Sequence, residues 1–317
     1  MKQCCVIGGT GFIGSHLVEI LRKQGRQLTV VGRNSHPSRN LPEGVRYLAG
    51  DYGDRYFLTG VLQGMEEVIC LAYTTVPKTS FENPVDDILS NLPASVNLFE
   101  TAVSLGIKKL VLVSSGGTVY GKSSDLLIPE SHATNPISPY GITKLAIEKY
   151  AFMYHEIAAL PVVCVRPGNA YGDGQRPYMG QGFVATAMAS LLQGREIILF
   201  GESGTIRDYV HVDDIAQGII AALERCAPGS CYNIGNGIGK SNRDVLNAIF
   251  PHARAAGLEP HVRTEPLRLF DVPANVLDCD KLRNETGWRP MVAFEEGIKR
   301  TWEWFLNNHE VPADRRR

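Results

Sequence analysis

The feature that most constrains this chain lies at its start. An apolar run at 3–8 (QCCVIG) leads into Gly8-Gly9-Thr10-Gly11-Phe12-Ile13-Gly14, and residues 12–21 then repeat apolar side chains at helical spacing. A second apolar run follows at 28–32. Strand, glycine turn, helix and strand in that order predict a right-handed βαβ unit with parallel strands. Each glycine has a reason. Gly8 permits the tight turn, Gly11 lets backbone N–H groups approach a diphosphate, and Gly14 lets helix and strand pack closely. The start of the helix, with Phe12 and Ile13, then directs its partial positive charge at that diphosphate. Gly8, Gly11, Phe12, Ile13 and Gly14 are the candidate dinucleotide-binding residues.

The alternation continues. Strands are predicted at 45–49, 67–72, 110–115 and 161–166, and helices at 54–63, 84–106 (interrupted at Pro93) and 138–158. This order predicts an α/β fold, a Rossmann-type doubly wound parallel sheet with ligands at the carboxyl ends of its strands. After residue 170 the pattern loosens. A glycine-rich loop at 172–182 is followed by helices at 183–193, up to about 225, at 241–250 and at 295–307, with a short strand at 231–234. The division expected is a dinucleotide-binding domain at 1–170 and a smaller C-terminal α/β substrate lobe at 171–312, discontinuous, with pieces returning to the sheet.

The end of the second strand is where such folds discriminate between dinucleotides: a carboxylate there binds a ribose 2′-hydroxyl, a basic group a 2′-phosphate. Here the residues are Gly32-Arg33-Asn34, with no Asp or Glu between Glu19 and Glu43. Arg33 is left to read a 2′-phosphate, to stack on adenine, or to sit in solvent. Asp51, after the third strand, is placed to meet an adenine amine.

A second constellation spans residues 110–147. The run LVLV ends in Ser114-Ser115-Gly116-Gly117-Thr118, and a helix then opens at Ser138-Pro139, a plausible cap and first-turn proline. Tyr140 and Lys144 are four apart and share one face of that helix. A phenol beside an ammonium, near hydroxyls at a strand end, suits moving a proton on and off an alcohol. Bringing a phenol from its usual pKa of about 10 to about 7 needs roughly 4 kcal/mol. A cation at about 4–5 Å supplies ~3–4 kcal/mol at an effective dielectric of about 20.

Composition excludes other classes. The net charge of −1 lacks the basic excess of a nucleic-acid binder. No apolar stretch is long enough to span a bilayer, and the glycine motif begins too early for a signal peptide. Seven cysteines without C-x-x-C spacing read as free thiols in a reducing cytoplasm, with no metal site.

Five segments together, Gly8-x-x-Gly11-x-x-Gly14, SSGGTVYG, Tyr140-x-x-x-Lys144, RPGNAYG at 166–172 and TIRDYVHVDD at 205–214, resemble the extended short-chain dehydrogenase/reductases. The likeness covers nearly the whole chain and is greatest to the nucleotide-sugar branch, the UDP-glucose and UDP-N-acetylglucosamine 4-epimerases. It implies Tyr140 as acid/base with Lys144 as partner on the nicotinamide ribose, and NAD as cofactor, with NADP the alternative. It implies Asn169, Arg207, Arg268 and Asp271 on a nucleotide diphosphate and ribose, and Asn275 beside the sugar C2 substituent, where its amide would bond an acetamido carbonyl. The family's catalytic hydroxyl falls on Gly116, so Ser115 or Thr118 must replace it, Ser115 being the first choice. Related 4,6-dehydratases carry Asp-Glu, and decarboxylases a Glu, where this chain has Gly117-Thr118. The activity implied is 4-epimerisation of a UDP-hexose through a 4-keto sugar; the alternative is an NADPH-dependent 4-keto-sugar reductase. A homodimer is implied, through the helices near 84–106 and 140–158, with Ile88, Leu98, Ala102, Leu145 and Phe152 available to core and interface.

Overall fold

A computed structural model describes residues 1–266 and 272–308. The chain runs β1 (Gln3–Ile7), α1 (Phe12–Lys23), β2 (Gln27–Gly32), β3 (Arg46–Ala49), α2 (Arg55–Leu62), β4 (Glu67–Cys70), α3 (Pro77–Glu82), α4 (Pro84–Ser104), β5 (Lys109–Val113), α5 (Pro139–Ala158) and β6 (Val162–Pro167). It continues through β7 (Asn169–Tyr171), α6 (Phe183–Leu192), β8 (Ile197–Phe200), β9 (Ile206–His211), α7 (Val212–Arg225) and β10 (Ser230–Ile234). The last elements are β11 (Gly239–Ser241), α8 (Asn242–Ala255), β12 (Val262–Glu265), β13 (Ala274–Asn275), α9 (Asp280–Thr286) and α10 (Phe294–Asn308).

Seven strands form one parallel sheet in the order β10-β6-β5-β4-β1-β2-β3. This is the doubly wound Rossmann arrangement, with its switch point between β1 and β4. The period of two in β1 makes the two layers. Cys4 and Val6 pack with Leu17, Val18 and Leu21 of α1 and Ile215 and Ile219 of α7. Cys5 and Ile7 face the other way, against Leu58 of α2, Leu98 of α4 and Ile147 of α5. All seven cysteines are free thiols. Among the described residues no helix is long and apolar enough to cross a membrane, and no cluster of ligating side chains could hold a metal ion.

β10 is contributed from beyond residue 171, so the chain returns to the large sheet after building much of the second lobe. That lobe contains a four-stranded sheet, β11-β9-β13 with β7 also on β9, and the pair β12-β8. Its core gathers Met188, Leu192, Leu246, Ile249, Trp302 and Phe305.

Pro93 does not interrupt its helix. It lies inside a continuous α4. A proline frees the carbonyl four residues earlier, here that of Leu89, and both residues are exposed, so water can take the lost bond.

Candidate active site

The glycine motif forms the floor of the site. Gly8 has φ +85°, and a Cβ there would stand 2.9 Å from Ala72 N. A Cβ on Gly14 would stand 2.3 Å from Gly8 O, inside contact distance. α1 begins at Gly11 with no side-chain cap, which leaves its first N–H groups for a ligand. One cleft of about 1070 Å³ opens above this turn. Its lining includes Gly8, Gly11, Phe12, Ile13 and Gly14, then Ser115, Thr118, Tyr140 and Lys144, and also Asn169, Arg207 and Tyr209. That volume is at the upper end for ligand pockets. An uncapped helix start, a backbone cradle that side chains would fill, and the buried unpartnered Ser114 Oγ and Thr118 Oγ1 on the wall fit a dinucleotide sharing the space with a second ligand.

Tyr140 and Lys144 are presented by the first turns of α5. Ser138 Oγ accepts from Gly141 N at 3.1 Å and Pro139 occupies the first turn, so the helix starts where the sequence places it. Lys144 Nζ donates to Val113 O at 2.9 Å, which ties it to the end of β5. Burial brings the Lys144 ammonium down to about 8, with Cys70, Glu148 and Asp87 opposing. Burial and then the Asp87 carboxylate push the Tyr140 phenol well above its usual range, and the Ser115 hydroxyl, hydrogen-bonded to it, pulls the other way. The ammonium lies 5.8 Å from the Tyr140 ring centre, and its bond to Val113 O leaves further N–H donors for a ligand.

Gly116 has no room for a hydroxyl-bearing side chain: a Cβ would meet Leu277 Cδ1 at 2.6 Å and Arg166 O at 2.8 Å. Ser115 reaches Tyr140 instead, while Thr118 Oγ1 is buried without a protein partner. Asn169, on β7, and Arg207, on β9, also line the cleft, with Asn169 Oδ1 3.3 Å from where a Cβ on Gly117 would stand.

Arg33 is exposed just past β2 and Asp51 spends a carboxylate oxygen on Gly53 N at 2.9 Å; neither lines the cleft. The arginine that reaches the glycine motif is Arg39. It donates to Ser15 Oγ at 3.0 Å and to Gly174 O, while Ser38 Oγ donates to Thr10 O at 3.1 Å. Asn275 is buried; its amide nitrogen donates to Gly116 O at 3.1 Å and its Oδ1 has no protein partner among the described residues. Val272 lines the cleft there. Arg268 and Asp271 lie outside the described residues.

The sequence reading missed Tyr73, Gln175 and the segment Gly180–Val184, all on the cleft wall. Tyr73 had a signal, since it follows β4 at a carboxyl end beside the switch point. Gln175 and the segment had none beyond their glycines.

Residues 4–235 match the model of the NAD dependent epimerase/dehydratase family. The chain belongs to that family. It is 35% identical to the UDP-glucose 4-epimerase of Mycolicibacterium smegmatis over 96% of this chain and 99% of that one. The structure of the Thermotoga maritima UDP-glucose 4-epimerase with UDP-glucose superposes with a TM-score of 0.91 at 32% identity, over 98% of this chain and 100% of the other. The Thermus thermophilus UDP-glucose 4-epimerase complex with NAD gives 0.90 at 35%, over 97% and 100%. Family relatives also include a dehydratase and a decarboxylase.

Proposed function

We propose that this chain inverts C4 of a UDP-hexose, with NAD held through the whole turnover. The observation that carries this reading is the convergence of Tyr140, Lys144 and Ser115 on one cleft with Asn169 and Arg207. Acid/base and nucleotide-gripping groups thus face a single ligand pair. Epimerase relatives at similar identity, solved with UDP-glucose and with NAD, support it.

In this reading Tyr140 accepts the proton of the sugar 4-hydroxyl and later returns it. Ser115 hydrogen-bonds that oxygen as it becomes a carbonyl and then an alcohol again. The turn at Gly8–Gly14 and Lys144 would hold NAD, which would supply the hydride acceptor and donor that keep the reaction redox-neutral. Lys144 holds the nicotinamide ribose and adds positive charge beside Tyr140. Asn169 and Arg207 hold the diphosphate through charge-assisted bonds while the sugar turns over. The pair before Val119 is Gly117-Thr118, which offers no carboxylate for the eliminations of the dehydratase and decarboxylase relatives.

The test is to incubate purified protein with UDP-glucose, UDP-N-acetylglucosamine and their uronates, resolve the products, and identify the nucleotide released on denaturation. Conversion of UDP-glucose to UDP-galactose and release of NAD are expected. No 4-epimer from any of these, with freely exchanging NADP in place of NAD, would replace this reading with a 4-keto-sugar reductase.

A further inference from the structure

Asp87 is fully buried on the inner face of α4, and among the described residues it makes no ion pair. A carboxylate in that position is costly unless it is hydrogen-bonded. Its bonds come from two hydroxyls on the segment after β4. Tyr73 Oη donates at 3.3 Å to each oxygen, and Thr75 Oγ1 donates to Oδ1. The Tyr73 hydroxyl also bonds the Thr143 side chain of α5. Held at that end, the Tyr73 ring lies with its centre 4.1 Å from Lys144 Nζ and 4.8 Å from the Tyr140 ring, edge-on. It is the one aromatic ring that touches both members of the acid/base pair among the described residues.

We propose that Asp87 and Tyr73 are positioning residues for the acid/base pair: Asp87 fixes the Tyr73 ring against Lys144 and Tyr140 and places a buried negative charge beside both. The ring gives the ammonium an attractive face, and it fills space into which the Tyr140 ring would otherwise swing. The charge acts on protons. A nearby carboxylate favours the protonated forms of both phenol and ammonium: at Tyr140 Asp87 adds to the upward push of burial, and at Lys144 it opposes the downward pull of burial. The other groups facing Lys144 are Cys70 on β4, Cys164 on β6 and Glu148 on its own helix; Tyr140 faces Ser115. This inference rests on the proposed function for its catalytic consequence, but not for its effect on Lys144.

The test has two arms. In protein labelled with 13Cε-lysine, the Lys144 resonance, assigned by its loss in Lys144→Met, is titrated for wild type and for Asp87→Asn. Removing the negative charge should lower the Lys144 titration, and the acid limb of log(kcat/KM) against pH should move the same way, each by about half a pH unit or more. Tyr73→Leu should lower kcat about ten- to a hundredfold with KM for UDP-galactose nearly unchanged, and Tyr73→Phe, which keeps the ring, should recover much of that loss. A folded Asp87→Asn protein with Lys144 titration and acid limb both unmoved would overturn the proposal. If Asp87→Asn does not fold, wild-type kcat in Tyr73→Leu would do the same. Should wild type act on none of the UDP-hexoses, the proposed function falls, and the Lys144 titration still decides this one.

Discussion

At Gly116 a single backbone position excludes a hydroxyl-bearing side chain. With Leu277 Cδ1 and Arg166 O closing the space around its absent Cβ, the hydroxyl moves one residue back, to Ser115. Tyr140→Phe should cut turnover at least about a hundredfold, the scale of a lost acid/base group, with UDP binding by calorimetry unchanged. Ser115→Ala should cost more than Thr118→Ala. Gly116→Ser in the Ser115→Ala background should fail to restore activity, because its side chain must displace Leu277. Recovery of turnover in that double variant would return the role to position 116. Ser115, Tyr140 and Lys144 were legible because their spacing on a strand end and a helix start fixes where they project. The place of Asn275 could not be fixed in that way. Its place depends on the pairing of β13 with β9, a two-residue ladder that leaves no periodic trace in the sequence.

What keeps α5 in register lies one turn beyond Lys144. Glu148, fully buried, takes a two-pronged bond from Arg166 of β6, Nε to Oε1 at 3.0 Å and Nη2 to Oε2 at 2.6 Å. Arg166 Nη1 donates to Tyr120 Oη, which donates to Asn233 Oδ1 of β10. Helix, sheet and the turn after β5 are thus joined through one charged network. Removing one partner of a buried pair leaves an unpaired charge, typically costing about 3–5 kcal/mol. Glu148→Ala should therefore lower stability on that scale in urea unfolding, whereas Glu148→Ala combined with Arg166→Met should be less damaging than Glu148→Ala alone. A Glu148→Ala protein as stable as wild type would remove the network from the fold's support. At this scale long elements were legible and short ones were not. Helices of ten or more residues and the buried strands announce themselves by period and apolar run. The short helix α3 and the strands of the second lobe hold two to six residues each, too few to show a period. α4 was legible except at Pro93, because a proline on a solvent-facing turn costs a helix less than one facing the core.

For the molecule as a whole, the outer faces of α4 and α5 bear on assembly. Leu98 and Ala102, candidates for core and interface alike, are fully buried and belong to the core. Ile88 is 45% exposed, and beside it on α4 Val85 and Leu89 are more exposed still. On α5, Ile142, Met153 and Ile157 are exposed as well. The two helices pack against each other, which leaves an outer surface that carries exposed apolar side chains from both. A second copy of the same pair, related by a two-fold axis, would cover it with like side chains and make a self-complementary four-helix contact. Stable contacts of this kind bury about 1,200–2,000 Å² in total, within reach of two such helices per copy. The expectation is a homodimer at micromolar concentration by sedimentation. Leu89→Arg with Met153→Arg would put four unpaired charges into that contact and should yield monomer, with each fold intact by circular dichroism because neither side chain reaches the core. A wild-type monomer, or a dimer that survives both substitutions, would place the contact elsewhere and leave this surface unexplained.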